Sequence, residues 1–285
     1  MDVPARTKGP RYKHAPGEEA PYETITVDKL TPVIGAEISG VDLSRPLSNA
    51  TFDEIHRALA ENQVIFFRDQ HLTPQQHLAF GRLFGELHIH PAAPHEPGEP
   101  ALMKIHADRD SPRANGEFWH SDVSCDELPP MGSILYIRQC PPRGGDTLFA
   151  SMYAAYEALS PAMKVYLKGL TATHDGTRIF GPGTPVSVHP VIIRHPVTRR
   201  EVIFVNTDFT SHINELPRLE GQRVLQFLID HCDKSEWTCR FRWKPHSIAF
   251  WDNRCCHHKA IWDYWPNVRS GFRVQIEGEG PPQAA

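Results

Sequence analysis

The chain has 285 residues and a formal charge of −4, with its Lys and Arg scattered along the sequence. That argues against a nucleic-acid groove, which needs a clustered basic face. No apolar run approaches the roughly 18 residues that a membrane helix requires, so no membrane partner is expected. With 40% hydrophobic and 22% charged residues the composition is that of an ordinary globular protein.

Residues 1–22, MDVPARTKGPRYKHAPGEEAPY, lack the apolar centre of a secretory signal and are rich in Pro and charge. A flexible tail is expected there, followed by a single domain over residues 23–285. The six cysteines (125, 140, 232, 239, 255 and 256) form no CxxC pair and no small-domain disulfide framework. Reduced thiols and a cytoplasmic location follow as expectations. Two counts are high, 17 His and 26 Pro. Histidine is the commonest metal-binding side chain, and abundant proline suits many short strands joined by turns.

Residues 24–44, TITVDKLTPVIGAEISGVDLS, alternate and are β-branched, predicting two strands with a turn near Thr31–Pro32. Residues 51–63 read as a helix with Thr51 and Glu54 as a capping box. VIFFR (64–68) reads as a short strand buried on both faces. Residues 73–85 read as a second helix, with Thr73 at the cap, Pro74 at the first helical position and Gln76 completing a box. Three strands follow: ALMKIHA, FWHSDVS (118–124) and MGSILYIRQ (131–139). A helix over 151–170 should break near Ser160–Pro161. Residues 191–196 and 201–206 read as a hairpin, 221–232 as a helix, 238–253 as another hairpin and 270–278 as a last strand. The fold class expected is β-rich α+β, with helices packed outside a β core.

FWHSDVS places His120 and Asp122 two residues apart. On a strand, residues i and i+2 share a face, so the two side chains would enter one space. That arrangement suits a metal site, an acid–base pair or a buried hydrogen bond, and the stretch alone leaves all three open. Downstream, WDNRCCHHKA (251–260) sets histidines just past a strand end, where functional groups concentrate. A His-x-Asp pair with one distant His supplies two imidazoles and one carboxylate. On one face this is the donor set of non-haem Fe(II) oxygenases, leaving coordination positions open. Arg269 follows at the start of the last strand, and Thr147 lies in RGGDTLF. An arginine fork beside a hydroxyl suits a carboxylate.

The chain resembles the taurine dioxygenase (TauD/TfdA) family of Fe(II)/2-oxoglutarate-dependent dioxygenases. The residues carrying the resemblance are IGAEISGVDLS (34–44), FGELHIHP (84–91), FWHSD (118–122), GGDT (144–147), YEALSP (156–161), HPV (189–191), FVN (204–206), and WDNR followed by HHKA, DY and Arg269. They run in family order over nearly the whole chain. The resemblance implies a double-stranded β-helix, or jelly roll, with helices outside it. It implies Fe(II) held by His120, Asp122 and His258, the alternative being that His257 takes over as the distal ligand or serves in a supporting role. It implies 2-oxoglutarate and O₂ as cosubstrates, the far carboxylate of 2-oxoglutarate meeting Thr147 and Arg269. The implied reaction decarboxylates 2-oxoglutarate to succinate and hydroxylates a small anionic substrate. A homo-oligomer, dimer or tetramer, is also expected.

Four positions match the family's substrate pocket: His90, Phe180, Phe209 and Arg273. His90 and Arg273 can hold a sulfonate, sulfate or carboxylate, and the two Phe supply apolar walls. Two positions depart from the taurine pattern, Ala93 standing for a Tyr and Gly116 for an Asn. The short segment from Phe180 to His189 predicts a small lid. A taurine-like organosulfonate, cleaved to sulfite and an aldehyde, is the substrate expected, with an alkyl sulfate or an aryloxyalkanoate as alternatives. A zinc hydrolase built on the same ligands would have no use for Arg269, and a non-enzymatic jelly roll would not keep all five positions. Trp119, Trp251, Trp262 and Trp265 read as packing; His88, His95, His106, His174 and His189 read as surface or structural residues. Arg178 and Arg254 read as salt-bridge partners, and Asp252 and Asn253 as anchors of the loop presenting His258.

Overall fold

The computed structural model describes residues 21–112 and 116–285. The tail expected over residues 1–22 lies almost wholly outside them. At its end, the Tyr22 hydroxyl donates to Glu61 at 2.6 Å and its ring lies 3.8 Å beneath the Arg57 guanidinium. The chain forms β1 (Thr26–Lys29), β2 (Ala36–Ser39), α1 (Asn49–Asn62), β3 (Val64–Phe67), α2 (Pro74–Arg82), β4 (Leu87–His88), β5 (His95–Glu96), β6 (Glu99–Ala107) and β7 (Gly132–Gln139). Next come β8 (Thr147–Ser151), α3 (Met152–Glu157), α4 (Pro161–Leu167), β9 (Thr171–Asp175), α5 (Thr177–Phe180), β10 (Val186–Pro190), β11 (Ile192–Arg194), β12 (Glu201–Ile203) and β13 (Thr210–Ile213). The last elements are α6 (Arg218–Cys232), β14 (Thr238–Phe241), β15 (Ser247–Asp252), β16 (Cys256–Ala260) and β17 (Arg269–Ile276).

The chain is β-rich with one large mixed sheet and few helices. That sheet runs β1-β2-β3-β15-β7-β17-β6-β5, with β4 also paired to β17, and its single parallel contact is β2 with β3. A smaller sheet, β14-β8-β16, lies across its inner face. Alternation along the central strands divides their side chains between two cores. Ile65 and Phe67, Ile134 and Tyr136, and Ile248 and Phe250 turn outward onto Ile55, Leu59 and Phe80 of α1 and α2. Val64 and Phe66, Leu135 and Ile137, and Ala249 and Trp251 turn inward onto Phe149, Phe241 and Cys256 of the smaller sheet. Phe66 and Phe241 stack across that seam with ring centroids 3.9 Å apart. Each such fully buried side chain stabilises the fold by roughly 1.5–3 kcal/mol. A third core joins α3 and α6 to β11 and β12.

Side chains cap four of the six α-helices among the described residues, and in α1 the cap is not the one expected. Thr73 and Gln76 form the reciprocal box expected for α2, and Ser160 caps α4 ahead of Pro161. In α1 the cap is Ser48, whose hydroxyl accepts from Thr51 N at 3.1 Å, and not the Thr51–Glu54 box. Glu54 reaches away instead, accepting from the backbone N–H groups of Glu23, Thr24 and Ile25. A tertiary anchor has displaced a local one.

Two readings of the sequence are corrected by the topology. Residues 238–253 do not make a hairpin: β14 pairs with β8, while β15 pairs with β3 and β7 in the other sheet. The connection between them steps from one sheet to the other. FWHSDVS is not a strand either; within it only His120 makes a bridge, to His258. The hairpin of β11 with β12 forms as expected.

Candidate metal centre and cosubstrate site

His120 and His258 exchange both backbone hydrogen bonds, His120 N to His258 O at 3.1 Å and His258 N to His120 O at 2.8 Å. Directly opposed antiparallel residues project to the same side, so the imidazoles lie together with centroids 4.1 Å apart. The chain then turns back, and Val123 takes a positive φ of 47°. Asp122 is thereby brought between the rings: its Oδ1 lies 3.6 Å from His120 Nε2 and 3.7 Å from His258 Nε2. One ligand atom from each residue falls within 4.8 Å of the others, and all three side chains are buried. His257 pairs with Ala150 while His258 pairs with Phe149, so the two adjacent histidines take opposite faces. His258 packs between Phe149 and Trp251. Burial pushes His257 down to about 3.

Hydrogen bonding selects the ring nitrogens. His120 Nδ1 lies 2.8 Å from the Phe118 carbonyl, which can only accept, so Nδ1 carries a proton and Nε2 is the atom that faces Asp122. Burial alone would lower the His120 pKa, but Asp122, Asp208 and the Phe118 carbonyl outweigh it and raise it, so a cation there would displace a proton. Asp208 stands 3.6 Å from the same Nδ1. Asp122 Oδ2 accepts from Ser133 at 2.7 Å, and Ser133 in turn receives Asn253 at 3.0 Å and Gln275 at 3.3 Å. Asn253 Oδ1 also receives the Trp251 indole N–H at 2.9 Å. This network fixes Oδ2 and turns Oδ1 toward the imidazoles and toward Arg273 at 3.0 Å. Burial alone would raise the Asp122 carboxyl, but Arg273, His258 and His120 outweigh it and hold it well below the usual carboxylate range. Burial holds the His258 imidazole neutral. Two imidazole Nε2 atoms and one ionised oxygen are a donor set for a divalent cation.

A second cluster, His195, Asp252 and Cys255, has similar spacing but the opposite chemistry. His195 Nδ1 accepts from the backbone of Val197 and Thr198, so Nε2 carries the proton and donates to Asp252 at 3.0 Å. Arg254 occupies both Asp252 oxygens, at 2.9 and 2.7 Å. Burial drives the Cys255 thiol well above its ordinary range. No lone pair is left for a metal. Asp252 anchors its loop, whereas Asn253 reaches back to the support of Asp122.

Thr147 opens β8 and Arg269 opens β17. Thr147 Oγ1 accepts from the Trp243 indole at 3.0 Å and from Arg269 Nη2 at 3.5 Å, which leaves its own proton to donate elsewhere. Arg269 is 6% exposed, its Nε is buried without a hydrogen-bond partner, and it forms no ion pair among the described residues. Burial lowers its pKa. A buried guanidinium without a carboxylate is costly in isolation and fits an anion supplied by a ligand. In the β8·β16 ladder Thr147 lies two residues from Phe149, the partner of His258. The two functional groups are thus roughly 7 Å apart along one face of the sheet.

The remaining pocket residues converge on the other side of Asp122. His90 meets Phe180 edge to face at 4.9 Å, and Phe180 meets Phe209 at 5.4 Å, with Val123 and Cys125 packed behind. His90 Nδ1 accepts from the backbone of Ala92 and Ala93, so its Nε2 is a donor. Burial, with Arg273 next in weight, pushes His90 down to about 3, so it donates as a neutral ring. Gly116 has φ +80°, and a Cβ there would stand 3.0 Å from His120 Cε1. Sequence reasoning missed Ser133, Gln275, Asp208 and Trp243. The first two had a legible sign, since each is a polar residue inside an otherwise apolar strand, and the two stand directly opposite in register.

Two buried imidazoles facing an ionised Asp, with an Arg–Thr pair beside them where the two sheets meet, suit a 2-oxoglutarate-dependent dioxygenase, and the comparisons show the chain to be one. The profile of the family described as "Taurine catabolism dioxygenase TauD, TfdA family" matches residues 26–275, and the chain belongs to that family. It is 33% identical over 282 residues to an alpha-ketoglutarate-dependent sulfonate dioxygenase of Saccharomyces cerevisiae, covering 90% of this chain and 68% of that one. It is 33% identical over 268 residues to an alpha-ketoglutarate-dependent sulfate ester dioxygenase of Pseudomonas putida, covering 87% and 88%. The crystal structure of a taurine dioxygenase from Burkholderia xenovorans superposes with a TM-score of 0.83 at 35% identity, over 91% of this chain and 93% of that one. Alpha-ketoglutarate is 2-oxoglutarate.

Proposed function

We propose that His120, Asp122 and His258 hold Fe(II), and that Thr147 and Arg269 seat the far carboxylate of 2-oxoglutarate. The observation that carries this reading is the closeness of the two sites, which share the β8·β16 ladder through Thr147 and His258. Two imidazole Nε2 atoms face one carboxylate oxygen, and Thr147 stands two residues along the ladder from the partner of His258. The buried Arg269, with no acidic partner among the described residues, reaches Thr147 from β17. A zinc hydrolase would give Arg269 nothing to do. When bound, the iron supplies the redox chemistry that couples decarboxylation of 2-oxoglutarate by O₂ to hydroxylation of the substrate. The chain's own part is geometric. Ser133 and Asn253 hold Asp122, the Phe118 carbonyl fixes the His120 tautomer, and the aromatic walls exclude water. The jelly-roll arrangement of two facing sheets in a single domain over residues 23–285 belongs to the same reading.

The substrate we infer is an anion held by Arg273 and the neutral His90 Nε2–H, its carbon chain lying along Phe180 and Phe209. Alanine at 93 and glycine at 116 offer no polar side-chain group to an amine, which favours an alkyl sulfonate bulkier or more apolar than taurine. An alkyl sulfate is the second candidate, supported by the similarity to the sulfate ester dioxygenase. Hydroxylation of the carbon beside the sulfonate breaks the C–S bond, releasing sulfite and leaving an aldehyde. Succinate and sulfite release measured across sulfonates, sulfates and carboxylates tests this. Succinate without sulfite from every sulfonate would overturn the substrate class, and no succinate with any substrate would overturn the reaction.

A further inference from the structure

The two oxygens of Asp122 stand in different company. Oδ2 accepts from Ser133 at 2.7 Å. Oδ1, the atom that both imidazole nitrogens face, also receives Arg273 Nη1 at 3.0 Å. A guanidinium therefore occupies the oxygen that a metal ion would need. Arg273 stands on β17 in register with Leu135 and Met103, so neither strand beside it offers an acid at that position. Asp122 is its one ion-pair partner among the described residues, and its side chain is 13% exposed. The charge of Arg273 is divided between a fixed partner, Asp122, and whatever anion enters beside His90.

We propose that Arg273 couples anion recognition to metal affinity: it competes with the cation for Asp122 Oδ1, and an anion that draws its hydrogen bonds frees that oxygen. The coupling rests on the assignment of His120, Asp122 and His258 as metal ligands. It carries a reciprocal consequence, because a coupling free energy acts equally on both ligands. A substrate anion raises metal affinity, and the metal raises anion affinity by the same factor. Substrate arrival then also tightens the centre on which turnover depends.

The test uses the full chain stripped of metal and titrated with Mn(II) in the absence of 2-oxoglutarate, free Mn(II) being read by its electron paramagnetic resonance signal. No turnover enters the measurement. Arg273→Gln removes the competing charge and should bind Mn(II) about tenfold or more tightly than the unaltered protein. Arg273→Lys keeps the charge and should return most of the way to the original affinity. Propane-1-sulfonate should tighten Mn(II) binding by the unaltered protein and leave Arg273→Gln unmoved. Equal or weaker Mn(II) binding by a natively folded Arg273→Gln overturns the coupling. So does an affinity of the unaltered protein that saturating sulfonate leaves unchanged. Failure of the unaltered protein to bind Mn(II) overturns the metal reading itself, and is thereby distinguished from failure of the coupling.

Discussion

His120 and His258 are joined through their backbones, each accepting the other's N–H at 3.1 and 2.8 Å, while their adjacent imidazoles both turn Nε2 toward Asp122. Main-chain bonding carries the structural load of the pair, and the imidazoles are left for a ligand. Truncation of His120, Asp122 or His258 to Ala should therefore abolish turnover and Mn(II) binding while moving Tm by no more than about 5 °C. His257→Ala should keep both, since His257 faces the other core. Full activity in His258→Ala with loss in His257→Ala would exchange their roles.

Ser133 offers a sharper probe, because it touches no ligand but Asp122 Oδ2. Ser133→Ala removes that donor and leaves Asn253 and Gln275 without their shared acceptor. Loss of such a supporting bond weakens metal binding by about 10–100-fold in comparable sites. Mn(II) titration should show this fall with the far-ultraviolet circular dichroism unchanged.

In the proposed carboxylate site Arg269 supplies charge and Trp243 orientation. Arg269→Ala should raise the 2-oxoglutarate KM by the equivalent of about 2–5 kcal/mol, since the ligand's carboxylate would be left buried without its partner. Arg269→Lys should recover part of this, as a point charge does not match the fork. Trp243→Phe removes the donor that occupies Thr147 Oγ1 at 3.0 Å and should cost about 1 kcal/mol. Unchanged 2-oxoglutarate KM in Arg269→Ala would remove that residue from the site.

Acid should destabilise the protein through buried histidines. Burial pushes His77 down to about 4, and burial with the neighbouring His189 pushes His174 down to about 3. Both are neutral in the fold, whereas the unfolded chain takes up their protons near pH 6.5. Their stability contribution is complete above about pH 6.5 and is lost as pH falls toward 4. Each adds a slope of up to about 1.4 kcal/mol per pH unit. Urea unfolding at pH 7, 6 and 5 with chelator present should show falling midpoints. His77→Gln should flatten the slope by up to one proton. An unchanged slope would show that His77 is not a neutral group in the fold.

Much of this was legible locally. Thr73, Pro74 and Gln76 write a helix start within four residues, and VIFF reads as a strand buried on both faces, which it is. His120, Asp122, His258 and Arg269 stood out in the sequence because the chemistry proposed for them is confined to few residue types, and the structure brings the first three together. What was lost depended on partners far along the chain. Glu54 looks like a capping residue until Thr24 and Ile25 approach it, and β14 and β15 look like a hairpin because alternation does not say which sheet a strand joins. FWHSDVS alternates as a strand does, yet its ladder is cut to one bridge by the turn at Val123. Asp208 carried no local sign, since its tie to His120 exists only in three dimensions.

Substrate preference is the prediction most exposed to test. Ala93 and Gly116 both replace polar residues of the taurine pattern, but the structure makes them unequal. Gly116 sits at φ +80°, and its Cβ would press on His120 Cε1 at 3.0 Å. Gly116→Asn should therefore lower kcat on every substrate through a displaced ligand, and should not restore taurine selectivity. Ala93 lies on the turn that donates its N–H to His90 Nδ1, and it is half-buried beside the pocket. A phenol there adds a hydrogen-bonding group without touching the ligands. Ala93→Tyr should raise kcat/KM for taurine relative to hexane-1-sulfonate by up to about tenfold, the worth of one hydrogen bond. In the unaltered protein the longer sulfonate should be preferred, because the walls left by Phe180 and Phe209 reward apolar length and offer an amine nothing. Competition kinetics with the two sulfonates decides between these readings. Taurine giving the higher kcat/KM, with Ala93→Tyr making no difference, would sink the preference for an apolar chain.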